Sequence, residues 1–314
     1  MLHCVRETGP KMVEVSKTKI AVVGAGLMGH GIAQVFALAG HRVTITDTVA
    51  KNLDTVHARI AANLRDLGDD ASAVERVTPH AALADAVRAA DYVVEAVLEN
   101  LELKQKLFAE IERHVRPDTI LASNTSVIPI TSIMQGLRRR ERALGTHWWN
   151  PPYLVPLVEV IETQWTAPEA VAFTMALHAA AGKAPAHVKK DVPGFIGNRL
   201  QHALWREAIS LVEHGICDAA TVDAVIKASF GRRLAVLGPL ENADMVGTDL
   251  TLAIHDTVLP AIDSRPGPSP YLQALVADGK LGFKSGEGFR QWSAEQQAAL
   301  RLKVLQHLKA MRDR

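Results

Sequence analysis

Thirteen histidines are scattered through the 314 residues, and one of them, His147, has a setting suited to proton transfer. It closes the run Ala143-Leu144-Gly145-Thr146. Twelve residues later comes Glu159, a single carboxylate inside the apolar stretch Val155-Pro156-Leu157-Val158-Glu159-Val160-Ile161. Burying an unpaired carboxylate costs several kcal/mol, so Glu159 calls for a partner. A histidine that accepts a proton near neutral pH is helped by a carboxylate that fixes its tautomer and stabilises the imidazolium. His147 and Glu159 thus have the chemistry of a general base and its orienter. Spacing alone leaves their contact open.

A second group of residues suits a nucleotide. Gly24-Ala25-Gly26-Leu27-Met28-Gly29 follows the apolar run Ile20-Ala21-Val22-Val23 and opens a helical pattern that Gly40 ends. Val43-Thr44-Ile45-Thr46 then leads to Asp47, 18 residues past Gly29. In this context Gly24 permits the tight turn, Gly26 lets the backbone approach a pyrophosphate and Gly29 lets helix and strand pack closely. The helix N-terminus faces the phosphates with free N–H groups. Asp47 can accept hydrogen bonds from a ribose and would repel a 2′-phosphate, which favours NAD over NADP. The competing reading is an ordinary glycine turn.

Other candidates sit at strand ends, where parallel sheets bind ligands. Tyr92-Val93-Val94-Glu95-Ala96-Val97-Leu98-Glu99-Asn100 turns from apolar to polar, so Glu99 either faces a ligand or caps the next helix. That helix, Leu101 to Val115, points Leu103, Leu107, Phe108 and Ile111 inward. Lys104 in its first turn opposes the helix dipole and either meets an anion or ribose or is solvated. Ser123-Asn124-Thr125-Ser126 follows the strand Thr119-Ile120-Leu121-Ala122; these residues can cap a helix or present hydroxyls to a substrate. Trp148 and Trp149 either wall a pocket or pack beneath it.

The elements that must position these groups read as α/β: a Rossmann-like domain with a mostly parallel sheet, followed by an all-α domain. The domains are expected at 18–190 and 191–314, after a disordered extension at 1–17 in which Met12 is a candidate start. One helix is expected at Ala50 to Leu67, a strand at Arg76 to Pro79 and, beyond Lys190, helices at about Ile196 to Glu213, Ala219 to Ser229, Asn242 to Val258 and Glu295 to Arg312. The charge is nearly balanced, 35 Lys plus Arg against 34 Asp plus Glu, and there is no basic stripe, which argues against nucleic acid and acidic membranes as partners. Cys4 and Cys217 suggest neither a disulfide framework nor a metal site and fit a cytoplasmic setting. No run approaches the length of a membrane span.

The fingerprint at Gly24 to Gly29, Glu99-Asn100, Ser123 to Ser126, the HxxNP of His147 to Pro151, Glu159, Asp191-Val192-Pro193-Gly194-Phe195 with Asn198, and Lys284-Ser285-Gly286-Glu287-Gly288-Phe289 together resemble the 3-hydroxyacyl-CoA dehydrogenase family in order and spacing. The resemblance runs from Lys19 to Trp292. It implies an NAD-dependent oxidation of an L-3-hydroxyl to a ketone and a homodimer formed through the helical domain. It also implies His147 as base, Glu159 as its partner, Ser126 and Asn198 as polar contacts to substrate, and Gly24, Gly26, Leu27, Met28, Gly29, Asp47, Glu99, Lys104, Asn150 and Lys284 in the NAD site.

Two departures point away from a CoA thioester. The stretch from Asp47 to Tyr92 looks short for the helical hairpin that holds CoA. The wording of Asn150 to Pro156 and Arg233 to Pro239 looks more like the L-gulonate 3-dehydrogenase and lambda-crystallin branch, whose members oxidise free hydroxy acids. Arg233, with Arg232 in reserve, can grip a free carboxylate through two parallel hydrogen bonds; the plain reading is a surface arginine pair. A small gulonate- or carnitine-like acid is thus the first expectation, 3-hydroxybutyryl-CoA the second and a crystallin-like NAD-binding structural protein the third. A dehydrogenase using Lys189 or Lys190 would leave the HxxNP stretch without a purpose.

Overall fold

The computed structural model describes residues 14–312. Eight strands form one sheet: β1 Ile20–Val23, β2 Val43–Thr46, β3 Val77–His80, β4 Tyr92–Glu95, β5 Ile120–Ser123, β6 Ala143–Trp148, β7 Leu157–Ile161 and β8 Ala184–Val188. Their order is β3-β2-β1-β4-β5-β6-β7-β8. Every pairing is parallel except β6 with β7. The chain starts at β1 and moves outward to β2 and β3, then returns to the other side of β1 with β4. The crevice between the ends of β1 and β4 is the switch point at which such sheets bind ligands.

The strands β1, β4 and β5 are apolar except for Glu95 and Ser123 at the ends of β4 and β5, because helices cover both faces. On one face lie α1 (Leu27–Leu38), α2 (Ala50–Asp54) and α3 (Val56–Leu67), whose Val56, Ile60 and Leu64 are fully buried. The single helix expected at Ala50 to Leu67 is therefore two, parted at Thr55. The other face carries α4 (Leu83–Val87), α5 (Leu101–His114) and α6 (Ile130–Met134). Within α5, Leu103 does not point inward as expected but is 41% exposed, whereas the neighbouring Lys104 is fully buried. The helix α7 (Pro168–Ala180) packs near Trp148 and precedes β8.

By its contacts the chain divides into a first unit that runs to Asn198 and takes in the chain again from His307, and a second unit of Arg199–Gln306. Residues 191–198 hold to the first unit through side chains: Asp191 accepts from the N–H groups of Ile130 and Thr131 at 3.0 and 2.6 Å. Part of the expected N-terminal extension is ordered, with Val15–Lys17 forming a short 3-10 turn whose Val15 packs on the core. The rest of that extension, with Cys4, lies outside the described residues.

The second unit holds most of α8 (Gly197–Glu213), α9 (Ala219–Ala228), α10 (Pro239–Val246), α11 (Thr248–Val258), α12 (Pro270–Ala277) and most of α13 (Ala294–Arg312). The helix expected at Asn242 to Val258 is broken by Gly247, whose φ of 101° is open to glycine and strained for other residues. Arg265 ties this unit together by binding both Glu213 and Asp263, and it holds the Asp263 carboxyl down to about 2.

Candidate active site

The nucleotide end of the crevice is built on the glycine turn. Gly24 has φ 102°, and a Cβ there would stand 2.5 Å from the Ala96 carbonyl oxygen at the end of β4; a Cβ on Gly29 would stand 1.7 Å from the Gly24 oxygen. Both positions are closed to a side chain. A Cβ on Gly26, by contrast, meets nothing within 4 Å, so this is the side of the turn open to a ligand, beside the first N–H groups of α1. A cavity of about 510 Å³ opens here, lined by Gly24, Gly26, Leu27, Met28, Asp47 and Leu98 among others. Leu103 lines it too, which accounts for its exposure. These residues fit NAD: backbone N–H groups for the pyrophosphate, a carboxylate for the ribose and apolar walls for the adenine.

Asp47 is held for this task. It accepts hydrogen bonds from Ala25 N at 2.7 Å, Val49 N at 2.8 Å and the Asn52 amide at 3.0 Å. Arg59, on α3, braces the turn from below and was not foreseen from the sequence. It donates to the Ala25 and Asn52 carbonyl oxygens at 2.7 and 2.8 Å and to that of Gly26 at 3.3 Å. Burial lowers its pKa, although the Asp47 charge works the other way.

The antiparallel pairing of β6 with β7 sets His147 directly opposite Glu159. The contact that spacing left open is present: His147 Nδ1 lies 2.7 Å from Glu159 Oε2, and both side chains are buried. A carboxylate only accepts, so Nδ1 carries the proton and Nε2 is left as the basic atom. The other oxygen of Glu159 accepts from Ile196 N at 2.8 Å and Gly197 N at 3.0 Å, at the start of α8. Burial pushes the Glu159 carboxyl up. The His147 hydrogen bond and the two N–H groups outweigh it and hold the carboxyl below the usual range.

Two rings fix the imidazole plane. Trp149 lies 5.3 Å and Phe195 5.7 Å from His147, centroid to centroid. Phe195 has φ 50°, a conformation costing roughly 1–3 kcal/mol outside glycine. This bend buries its ring and turns the next two N–H groups to Glu159. Gly197 leaves room for Trp149, since a Cβ there would stand 2.5 Å from the indole. The tryptophan pair thus divides: Trp149 flanks the imidazole, and Trp148 packs in the core against Phe36 and His178.

Ser126 sits beyond β5 with its backbone clamped from two sides. Its N–H donates to Glu99 at 2.9 Å, and its carbonyl oxygen accepts from the Asn198 amide at 2.9 Å. Its hydroxyl has no partner among the described residues. Glu99 also accepts from the Thr125 hydroxyl at 2.5 Å and Val127 N at 3.2 Å. The helix cap is Asn100, which accepts from Leu103 N, so Glu99 serves the Ser126 turn instead. Burial pushes its carboxyl up, but the Thr125 hydroxyl, the Lys104 ammonium and the two N–H groups hold it low.

Lys104 is where the structure corrects the sequence reading. It is fully buried, its ammonium 2.6 Å from Glu95 and 3.4 Å from Glu99. Two carboxylates draw it inward, so it supports the crevice from beneath without facing it. Glu95, unforeseen as a site residue, carries the signal that marked Glu159: a lone carboxylate in an apolar strand. Asn150 is exposed just beyond β6. Arg232, Arg233 and Lys284 are exposed in the second unit, where Lys284 lines a cavity of about 580 Å³.

Comparison with known proteins matches residues 19–192 to the NAD binding domain of 3-hydroxyacyl-CoA dehydrogenase and residues 194–292 to its C-terminal domain. The 5-formyl-3-hydroxy-2-methylpyridine 4-carboxylate 5-dehydrogenase of Mesorhizobium japonicum is 35% identical over 298 residues, 93% of this chain and 96% of the relative. Among solved structures, a 5-formyl-3-hydroxy-2-methylpyridine 4-carboxylic acid 5-dehydrogenase, described as an NAD+ dependent dismutase, is 34% identical with a TM-score of 0.88, covering 94% of this chain and 97% of that one. The (S)-3-hydroxybutyryl-CoA dehydrogenase of Ralstonia eutropha is also 34% identical, with a TM-score of 0.74, over 88% and 99%.

Proposed function

The chain belongs to the 3-hydroxyacyl-CoA dehydrogenase family, and we propose that it oxidises the 3-hydroxyl of a small free carboxylic acid. That it is an NAD-dependent dehydrogenase acting on CH–OH follows from the family. The observation that carries the reaction chemistry is the buried His147–Glu159 pair at 2.7 Å. NAD, when bound, supplies the acceptor for the hydride that leaves the carbinol carbon. His147 Nε2 takes the hydroxyl proton as the C=O bond forms, and Glu159 stabilises the resulting imidazolium. Ser126 offers its hydroxyl to the substrate oxygen, and Asn198 holds the turn that carries it.

The free-acid reading is supported by the relative that acts on a pyridine carboxylate. At equal identity its structure resembles this chain more than that of the CoA enzyme does, with TM-scores of 0.88 and 0.74. Arg233 is the proposed carboxylate anchor. A second reading, a 3-hydroxyacyl-CoA thioester, is favoured by the family models and the Ralstonia relative. Association with a second copy through the helical unit is also proposed, from its exposed apolar side chains. Among the described residues no helix is long and apolar enough to cross a membrane.

NADH formation separates the two readings. It is followed with 3-hydroxybutyryl-CoA and, in parallel, with L-gulonate, carnitine, 3-hydroxybutyrate and pyridine carboxylates bearing a hydroxymethyl or formyl group. Turnover of a free acid, with a raised KM in Arg233→Ala, is the expected result. Efficient turnover of the thioester alone overturns the free-acid reading.

A further inference from the structure

The turn that carries Ser126 rests on a buried charge cluster that touches neither the imidazole pair nor the open side of the glycine turn. Glu95, the last residue of β4, has no exposed surface. One of its oxygens accepts from Val97 N at 2.7 Å and from the Lys104 ammonium at 2.6 Å; the other accepts from the Ser123 hydroxyl at 2.6 Å. Ser123 in turn accepts from Thr125 N at 3.3 Å. Lys104 reaches on to Glu99 at 3.4 Å, and Glu99 receives the Thr125 hydroxyl and the Ser126 N–H. Glu95 therefore reaches the Ser126 turn by two routes, through Ser123 and through Lys104.

A buried ion pair is a poor device for stability, since apolar residues of the same volume often serve as well. What it supplies is direction: a fully hydrogen-bonded network has one arrangement, and each member fixes the next. Here both routes converge on one backbone segment, whose remaining carbonyl is fixed by Asn198. The hydroxyl of Ser126 is the group left over.

We infer that Glu95 and Lys104 are positioning residues that act through Ser123 and Glu99 to aim the Ser126 hydroxyl at the substrate oxygen. The inference rests on the reading of Ser126 given above. It moves Lys104 from a cofactor contact to a support, and it adds Glu95 to the residues on which turnover depends.

The test is a double-mutant cycle on kcat with the substrate turned over best, alongside NADH affinity from fluorescence titration. Glu95→Gln is expected to lower kcat by about 10- to 100-fold and to leave NADH affinity within about twofold. In the Ser126→Ala background the same substitution should cost almost nothing, because its target is gone. Losses that multiply, or an NADH affinity that falls as far as kcat, overturn the inference. Full activity of Ser126→Ala overturns the role of Ser126 itself, a separate outcome from failure of the cycle. If Glu95→Gln does not fold, Ser123→Ala removes only the hydroxyl that Glu95 holds. A loss of about 3- to 10-fold, again absent in the Ser126→Ala background, is then expected, and wild-type kcat overturns the inference.

Discussion

Leu144, Val160 and Leu177 of the first unit are fully buried, whereas Val236, Leu240 and Leu252 of the second are 85%, 79% and 63% exposed. The same residue types thus meet opposite fates. In the first unit the apolar pattern is satisfied within the chain, and its most exposed leucines, Leu27 and Leu98, line the cofactor crevice. In the second, α10 and α11 keep large apolar side chains exposed, which is the ground for the proposed association with a second copy. The difference teaches that the proposed proton transfer and the proposed association draw on different units, with Arg233 the one proposed substrate contact from the second. His147, Glu159, Ser126 and Asn198 all lie in the first unit, while the surface proposed for a second copy lies in the second.

The largest effect expected falls on the chemistry alone. His147→Ala should lower kcat by about 10³-fold, the scale of a lost general base. NADH affinity and oligomeric state should both stay as in the wild type, by fluorescence titration and sedimentation velocity. A coupled loss of cofactor binding would mean that the imidazole holds the crevice as well as the proton.

The next effect runs the other way. Leu240→Glu and Leu252→Glu place charge on side chains already exposed in the chain, so folding should be unaffected. Self-association should weaken by about 100-fold or more, as for a central interface residue. kcat at saturating substrate should be kept, because every group of the proton-transfer pair and the Ser126 turn comes from the first unit. If kcat falls in step with dissociation, the partner copy completes the site and the separation of the two roles fails.

What was legible in the sequence follows the same division between local and distant causes. The glycine fingerprint and Asp47 could be read because their geometry is set within one strand-turn-helix unit. Glu159 could be read because a lone carboxylate in an apolar run has few ways to be stable. Lys104 misled because its direction is decided by Glu95, nine residues back and on another element. Arg59 was invisible for a similar reason: its targets are carbonyl oxygens more than 30 residues away on the glycine turn. The antiparallel turn of β7 against β6 converts a spacing of 12 residues into a contact, and that reversal has no mark in the residues themselves. In the second unit the helix pattern was legible, but the break at Gly247 was lost in a run that continues apolar on both sides.

The smallest effect expected reports on how dry the first unit is. His178 on α7 is packed among Phe36, Tyr92 and Trp148, and its Nδ1 donates to the Thr174 carbonyl at 2.8 Å. Burial pushes its pKa down to about 4 from 6.5. The unfolded chain therefore binds a proton that the folded chain refuses between those values, and stability falls as pH drops below 6.5 while remaining intact above it. Between pH 7 and pH 5 the loss from this one group is about 2 kcal/mol. Glu159 and Glu99, held below the usual carboxylate range, add their own losses only at lower pH; His30, whose pKa burial also lowers, titrates in the same window, so His178 is read from the difference between the wild type and a variant that keeps His30. His178→Asn can keep the hydrogen bond to Thr174 and has nothing to titrate. Its urea midpoint should change less than that of the wild type between pH 7 and pH 5; equal changes would show that the core around Trp148 admits the imidazolium and is not dry.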